Sequence, residues 1–297
     1  MANNNSHKRS ILMLYGAILL LAINGLFSKV IPLDAVSQTS LRSLFATLTI
    51  LTTLIVMRRR IFLVSGKDYW GVYGLGILMG FHWVTFFHAM QVSTVAVGML
   101  ALFSFPVLTV LIEPFFSQSK LHRGDIVAAF LLFLGLVIMA SPKLLEPQSN
   151  LLQGIGWGVL SAFIFVFRNL LQKYYFSHVS SDRLMLHQLI AIFIMLVLFL
   201  DIQGAFSMST MSWMTVIFMG IFTTAFAHTI LVASYKRLTA KTVAMISSLQ
   251  TPIAAVLAWW FLGEELTWNV VIGGGVILSV ALHQSFQKYF HSIMGND

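Results

Sequence analysis

The chain alternates between long apolar segments and short polar connections. Ten apolar segments of about 20 residues each account for most of its 297 residues. Charged residues, glycines and prolines mark the breaks between them. The predicted helices, numbered one to ten, cover 11–31, 36–57, 69–90, 95–116, 124–140, 151–174, 184–200, 211–234, 240–262 and 268–287. Each can cross a hydrocarbon layer about 30 Å thick, so the pattern predicts an all-α integral membrane protein with ten transmembrane helices.

Composition supports a bilayer as the solvent of this chain. Hydrophobic residues make up 58% and charged residues 9% of the sequence, whereas soluble chains carry about 25% charged residues. The segment after Lys8 and Arg9 starts like a signal peptide, but it continues to Ile31 without a small-residue cleavage pattern. We interpret it as a retained first helix. The absence of cysteine excludes disulfides and thiol catalysis.

The net charge of +8 is better explained by membrane topology than by nucleic-acid binding. Only Lys29 and Lys143 fall on the outer side if the N-terminus is cytoplasmic, and Arg42 and Arg168 lie within helices. The remaining 14 of the 18 basic residues then lie on the cytoplasmic side, namely Lys8, Arg9, Arg58, Arg59, Arg60, Lys67, Lys120, Arg123, Lys173, Arg183, Lys236, Arg237, Lys241 and Lys288. The positive-inside rule therefore predicts a multi-pass membrane protein with both termini in the cytoplasm.

The second half of the chain repeats features of the first. Pro106 and Pro252 lie at the centres of the fourth and ninth helices, and the same offset of 146 residues relates His82 to His228. The repeats cover 11–140 and 151–287, with short tails at 1–10 and 288–297. Because five helices form each repeat, the second repeat enters the membrane from the opposite side. Inverted repeats of this kind are typical of secondary transporters.

Specific motifs resemble the EamA-like members of the drug/metabolite transporter superfamily, across about residues 11 to 287. Arg42 is similar to that family's second-helix arginine. The end of the second repeat carries the other motifs, Gln250-Thr251-Pro252, Phe261-Leu262-Gly263-Glu264 and Gly273-Gly274-Gly275. The first repeat departs from the pattern, with Phe116-Ser117-Gln118 in place of a Leu-Gly-Glu ending and no tryptophan beside Asn24-Gly25. The resemblance implies an inner-membrane carrier of small metabolites, often an exporter of amino acids or related compounds.

The paired prolines are the first candidates for a substrate site. Neither Pro106 nor Pro252 can donate to the carbonyl four residues earlier, so each helix should kink near the membrane midplane. Interrupted helices at corresponding positions of two repeats point to a midplane substrate site. Prolines that serve helix packing alone are the alternative.

Polar side chains within the helices are the second group of candidates. His82 and His228 could bind substrate and exchange protons near neutral pH, or they could simply be satisfied by neighbouring helices. Trp83 could stack on an apolar part of the substrate. Arg42 and Arg168 could each bind a substrate carboxylate or extend to the nearer membrane surface. Glu113, the carboxylate within a helix, could carry a coupling proton, although pairing with a basic residue is the favoured role.

The sequence therefore predicts a carrier with alternating access, whose cavity is lined mainly by helices one, three, four, six, eight and nine. The expected partners are a small-molecule substrate and the lipid bilayer, without nucleic acid, and a homodimer is possible but not required. No motif for ATP, a cofactor, a metal or enzymatic catalysis is present. Proton coupling and facilitated diffusion both remain open. The alternative function is a membrane sensor or assembly subunit without transport activity.

Overall fold

A computed structural model describes residues 2–24, 30–117, 120–144, 150–263 and 265–294. Ten helices, α1 to α10, follow the predicted order within these ranges. Their bounds are α1 Ala2–Ala22, α2 Ala35–Val56, α3 Gly66–Val92, α4 Val95–Leu102 with Phe105–Ser117, α5 Arg123–Leu144, α6 Leu151–Tyr175, α7 Ser181–Leu196, α8 Thr210–Tyr235, α9 Ala240–Ser247 with Gln250–Leu262, and α10 Trp268–Met294. The predicted all-helical, ten-helix membrane fold is confirmed. Lys29, Gly25, Gln118, Glu146 and Glu264 lie outside the described residues.

Hydropathy misplaced some helix ends. α1 is Ala2–Ala22 and so begins nine residues before the predicted start at 11; residues 25–29 of the predicted 11–31 lie outside the described residues. α10 continues to Met294, beyond the predicted 287. Hydropathy reports only the part of a helix inside hydrocarbon, whereas backbone hydrogen bonding continues through polar residues outside it. A short helix, Ile202–Ser207, also lies in the connection between α7 and α8, and the Asp201 carboxylate caps it by accepting from the Gly204 amide at 2.8 Å.

The helices pack as two inverted sets of five. α1 contacts α8 as α6 contacts α3, and α2 contacts α8 as α7 contacts α3. α2 also packs against α7, and α5 against α10. Each of these contacts joins two helices that occupy the same position in the two repeats. Exchanging the repeats therefore preserves the pattern of contacts. We call the end of the bundle at which α1 begins the N-terminal face; α6 begins at the opposite face.

α4 and α9 are both interrupted near their middle. The first segment of α4 ends at Leu102 and the second begins at Phe105; in α9 the corresponding residues are Ser247 and Gln250. Each interruption lies just before the proline, at Phe103–Ser104 and at Ser248–Leu249, where turn hydrogen bonds span three residues. Each proline then lies in the first turn of the new segment, where its missing amide hydrogen leaves no helical acceptor unpaired.

Glycine allows α5 and α10 to touch backbone to backbone. A Cβ atom added at Gly273 would lie 2.3 Å from the Gly135 carbonyl oxygen and 2.9 Å from the Met139 amide nitrogen. Gly275 lies on another side of α10, and a Cβ there would meet nothing within 4 Å. Small residues at such crossings let membrane helices approach closely.

We expect Gly273→Ala to lower the free energy of unfolding by about 1–3 kcal/mol, because the added methyl group meets backbone atoms that cannot move aside. Thermal unfolding of the purified protein in detergent measures the effect. Gly275→Ala is the matched control and should leave the melting temperature unchanged or raise it. Equal effects of the two substitutions would contradict this packing.

Candidate functional site

A cavity lies at the centre of the bundle, where the interrupted helices meet α1, α2, α3, α6 and α8. Its volume is about 60 Å³, within about 580 Å³ of empty space that includes open solvent. The lining comes from the six helices expected from the sequence and, through Arg42, from α2. Its residues are Leu21, Asn24, Arg42, His82, Trp83, Phe86, Phe87, Met99, Leu102, Phe103, Phe105, Phe165, His228, Leu231 and Gln250.

Arg42 is held firmly inside the bundle, about two turns into α2, and its side chain does not reach either membrane face. It is only 1% exposed. Its Nε and Nη2 atoms donate to the Thr224 hydroxyl at 3.3 and 3.0 Å. The guanidinium carbon lies 5.2 Å from the ring centre of Trp83 and 4.9 Å from that of Phe87, so two aromatic rings stabilise the charge. Nη1 has no hydrogen-bond acceptor among the described residues.

A π-helical segment of α8 provides the partner of Arg42. Residues Met219–Phe226 adopt this wider helix, which places Thr224 against α2. Gly220 makes the contact between the helices possible, because a Cβ there would lie 2.6 Å from Cβ of Phe45. The Thr223 carbonyl accepts from His228 Nδ1 at 2.8 Å. Single π-helical turns occur frequently at functional sites, and this one positions two of the cavity's polar groups.

His82 is fixed by Ser161 of α6. His82 Nδ1 lies 2.8 Å from the Ser161 hydroxyl, which in turn donates to the His82 carbonyl at 2.7 Å. The imidazole also stacks on Phe165, with 4.4 Å between ring centres. His228 contacts Trp83 edge to face at 5.0 Å. In both histidines the hydrogen bonds to protein use Nδ1, so a neutral ring with a proton on Nδ1 presents Nε2 as an acceptor.

Arg168 lies outside the cavity lining, although it is equally buried at 1% exposure. Its Nη1 donates to Asn169 Oδ1 at 2.7 Å, and its Nη2 donates to Gln188 Oε1. The amides of Gln188 and Asn169 continue the network to Gln172 and to the Tyr235 hydroxyl. This network ties α6, α7 and α8 together on the side of the cavity nearer the N-terminal face.

Glu113 anchors the beginning of α9 at the N-terminal face. Its carboxylate accepts from the backbone amides of Ala240 and Lys241, both at 2.9 Å, and from the Tyr174 hydroxyl at 2.9 Å. A carboxylate is favoured there because the first amides of a helix lack internal acceptors. The favoured expectation was pairing with a basic side chain; the partners found are helix amides, and the Lys241 side chain pairs with Asp125 instead.

Pro106 and Pro252 do not line the cavity, but their neighbours do. Phe105 precedes Pro106, and Gln250 lies two residues before Pro252. The structure thus brings Arg42, His82, Trp83 and His228 around one cavity. It places the prolines beside that cavity and Arg168 and Glu113 nearer the N-terminal face.

Comparison with known proteins assigns this chain to a family. The sequence model of the EamA-like transporter family matches residues 8–141 and again residues 152–283. The chain belongs to the EamA-like transporter family. This EamA-like protein is 24% identical over 226 residues to a Bacillus subtilis (strain 168) protein named uncharacterized transporter YxxF, covering 74% of this chain and 72% of that one. A crystal structure shares its fold with a TM-score of 0.78 at 14% identity, covering 97% of this chain and 99% of the other. The chain is therefore a multi-pass membrane transporter of the drug/metabolite type.

Sequence reasoning missed several polar residues of this transporter's cavity. Thr224 and Ser161 are ordinary helix residues until the fold places them beside Arg42 and His82. Asn24 lines the cavity, and its buried Oδ1 has no hydrogen-bond partner in the described chain. The offset of 146 residues relates α3 to α8, but it does not give the contacts that bring Thr224 to Arg42 or Ser161 to His82.

We expect Thr224→Val to lower the free energy of unfolding by about 1.5–3 kcal/mol, because it removes the hydroxyl that both donors of a buried cation use. Thermal unfolding of the transporter in detergent measures this. Thr229→Val is the matched control on α8, since the buried Thr229 hydroxyl has no hydrogen-bond partner in the described residues. A control that is as unstable as Thr224→Val would show that Arg42 does not need this partner.

Proposed function

We propose that this protein is a secondary transporter that exports small carboxylate-bearing metabolites, such as amino acids or related compounds, across the inner (plasma) membrane. One observation carries the proposal: Arg42 is a buried cation that lines the central cavity, and its Nη1 has no acceptor among the described residues. Charged groups at membrane depth are costly unless a partner or a function retains them. A substrate carboxylate supplies the missing acceptor and the compensating charge.

Transport proceeds by alternating access of the cavity to the two faces. Arg42 lies in the half of α2 nearer the opposite face, and Asn24 lies two residues beyond the end of α1 at that face. This conformation therefore exchanges substrate at the opposite face in the proposed cycle. The N-terminal face is closed by polar contacts between helix ends. Glu113 holds the start of α9, Lys173 Nζ donates to the Tyr235 and Leu238 carbonyls at 2.8 and 2.6 Å, and Arg59 pairs with Asp182 at 3.2 Å.

The interruptions in α4 and α9 are the pivots of this motion. Each half-helix can tilt without breaking regular helical hydrogen bonds, because the turn at the interruption already lacks them. The Gly158 backbone of α6 lies against Ala101 of α4, where a Cβ would come within 2.4 Å, so the helices can slide along a small-residue contact. Rocking of one repeat against the other then moves the opening from one face to the other.

Glu113 couples this motion to protons in the proposed cycle. While the N-terminal face is closed, three hydrogen-bond donors occupy its carboxylate. Opening of that face withdraws α9 and Tyr174 from the carboxylate, which is then accessible for proton exchange. His82 and His228 are the further candidates for proton transfer, since both line the cavity.

Orientation follows from charge. The loops at the N-terminal face hold the basic cluster Arg58, Arg59 and Arg60, together with Lys236 and Arg237. The positive-inside rule makes this face cytoplasmic, with both termini there.

Uptake into proteoliposomes containing the purified transporter tests the function, using a panel of amino acids and related carboxylates. We expect saturable uptake of at least one of them and a roughly 10- to 100-fold loss in Arg42→Gln, the effect of losing one charge-assisted contact. Arg60→Gln, an exposed residue of the same type, is the control and should transport normally. No uptake across the panel by folded protein would overturn the proposal in favour of a sensor or assembly subunit.

An imposed pH gradient tests the coupling role of Glu113. We expect the gradient to accelerate uptake by the native protein. Glu113→Gln should reduce this acceleration about tenfold, because a neutral amide cannot exchange a proton. Exchange of labelled for unlabelled substrate, which needs no net proton movement, should persist. Asp125→Asn, which removes another carboxylate at the same face, is the control. An equal response of the two variants, or a native protein indifferent to the gradient, would exclude the coupling role.

A further inference from the structure

We infer that the cavity selects an aromatic monocarboxylate without an ammonium group. The inference rests on the carboxylate transporter proposed above and restricts its substrates to the related compounds that lack the ammonium group of an amino acid. Three features of the ligand follow from the cavity wall: one negative charge, a flat apolar body and one neutral hydrogen-bond donor. An unaminated aromatic acid carrying a hydroxyl or ring N–H group has all three.

The charge of the ligand follows from the ionisable groups in the wall. Arg42 is the permanent cation, and the two histidines add neutral acceptors or further positive charge. None of the described lining residues is a carboxylate. Glu113 is engaged at the N-terminal face with α9 and Tyr174. A buried substrate ammonium would therefore meet no countercharge, and burying a charge without one is strongly unfavourable.

Aromatic rings could in principle hold an ammonium group by cation–π contact. In this cavity the two rings nearest to a cation, Trp83 and Phe87, already face the Arg42 guanidinium. A second cation at the same rings would be repelled by Arg42. The aromatic wall thus strengthens the preference for an anion over a zwitterion.

The flat body of the ligand follows from the remaining rings. Phe103 lies 5.4 Å from Phe105, and Phe105 contacts Phe165 edge to face at 5.2 Å. Phe165 in turn stacks with His82. Rings at these spacings and angles accept another ring in an offset or edge-to-face arrangement.

The neutral donor follows from Asn24. Its buried Oδ1 lines the cavity without a hydrogen-bond partner in the described residues. A buried acceptor left unpaired is unfavourable, and a phenolic hydroxyl or an indole N–H would satisfy it without bringing a charge. Arg42 on α2 and Asn24 at the end of α1 therefore recognise different groups of the same ligand.

Equilibrium binding to the purified full-length protein in lipid nanodiscs tests the inference with a matched pair of probes, 3-(4-hydroxyphenyl)propanoate and tyrosine, which differ only in the ammonium group. We expect the propanoate to bind at least about 30-fold more tightly, a difference of roughly 2 kcal/mol. Removing its hydroxyl, as in 3-phenylpropanoate, should weaken binding about fivefold in the native protein and have no effect in Asn24→Ala. Arg42→Gln should weaken binding roughly 10- to 100-fold, Arg42→Lys should weaken it less, and Thr229→Val should bind normally.

The outcomes separate this inference from the proposed function. Tyrosine binding as tightly as the propanoate would overturn the exclusion of ammonium, and hexanoate binding as tightly would overturn the aromatic requirement. In either case the carboxylate transporter stands. Binding of neither aromatic probe, with saturable uptake of another carboxylate, would also overturn only the inference. No binding and no carboxylate uptake would overturn both.

Discussion

In hydrocarbon, every backbone amide and carbonyl must find a hydrogen-bond partner within the protein. The irregular parts of this transporter's helices show how the fold satisfies that constraint. The regular helices satisfy it internally. Where α4 and α9 are interrupted, three-residue turns take over part of the pairing. Where α8 widens into a π-helix, His228 donates to the Thr223 carbonyl. Where α9 begins, Glu113 accepts from its first amides.

The interruptions of α4 and α9 and the π-helical segment of α8 lie around or beside the central cavity, and this has a physical reason. Irregular backbone is tolerated at membrane depth only where protein or a polar cavity satisfies it. The side chains that satisfy it are held in fixed positions by doing so. His82 and His228 are oriented through Nδ1 by a serine and a carbonyl. The groups available to a substrate are therefore the ones that the fold does not consume, chiefly Nη1 of Arg42 and Oδ1 of Asn24.

The inverted scaffold is nearly symmetric, whereas its chemistry is not. The offset of 146 that relates His82 to His228 places Gln188 opposite Arg42 and Trp259 opposite Glu113. Gln188 accepts from Arg168 in a side-chain network, although Arg168 Nε has no partner among the described residues, while Arg42 faces the cavity. The contact between α3 and α6 mirrors that between α8 and α1, yet the anchoring carboxylate occurs at the N-terminal face. Symmetric packing supports two equivalent openings, and asymmetric side chains decide which opening is closed and where charge lies.

The sequence by itself determined the membrane environment, the ten helices and their duplication, because hydrophobic length and spacing depend only on the order of residues along the chain. It also singled out Arg42, His82, Trp83 and His228, since polar groups at membrane depth are rare. Tertiary structure decided the rest. Arg42 lines the cavity, whereas Arg168 belongs to a side-chain network outside it. This distinction depends on partners from other helices, Thr224 for Arg42 and Gln188 for Arg168. The anchoring role of Glu113 likewise depends on a helix that begins 127 residues later. Such contacts depend on the position and angle at which two helices cross. The pattern of hydrophobic and polar residues along the chain does not say which two side chains meet at a crossing.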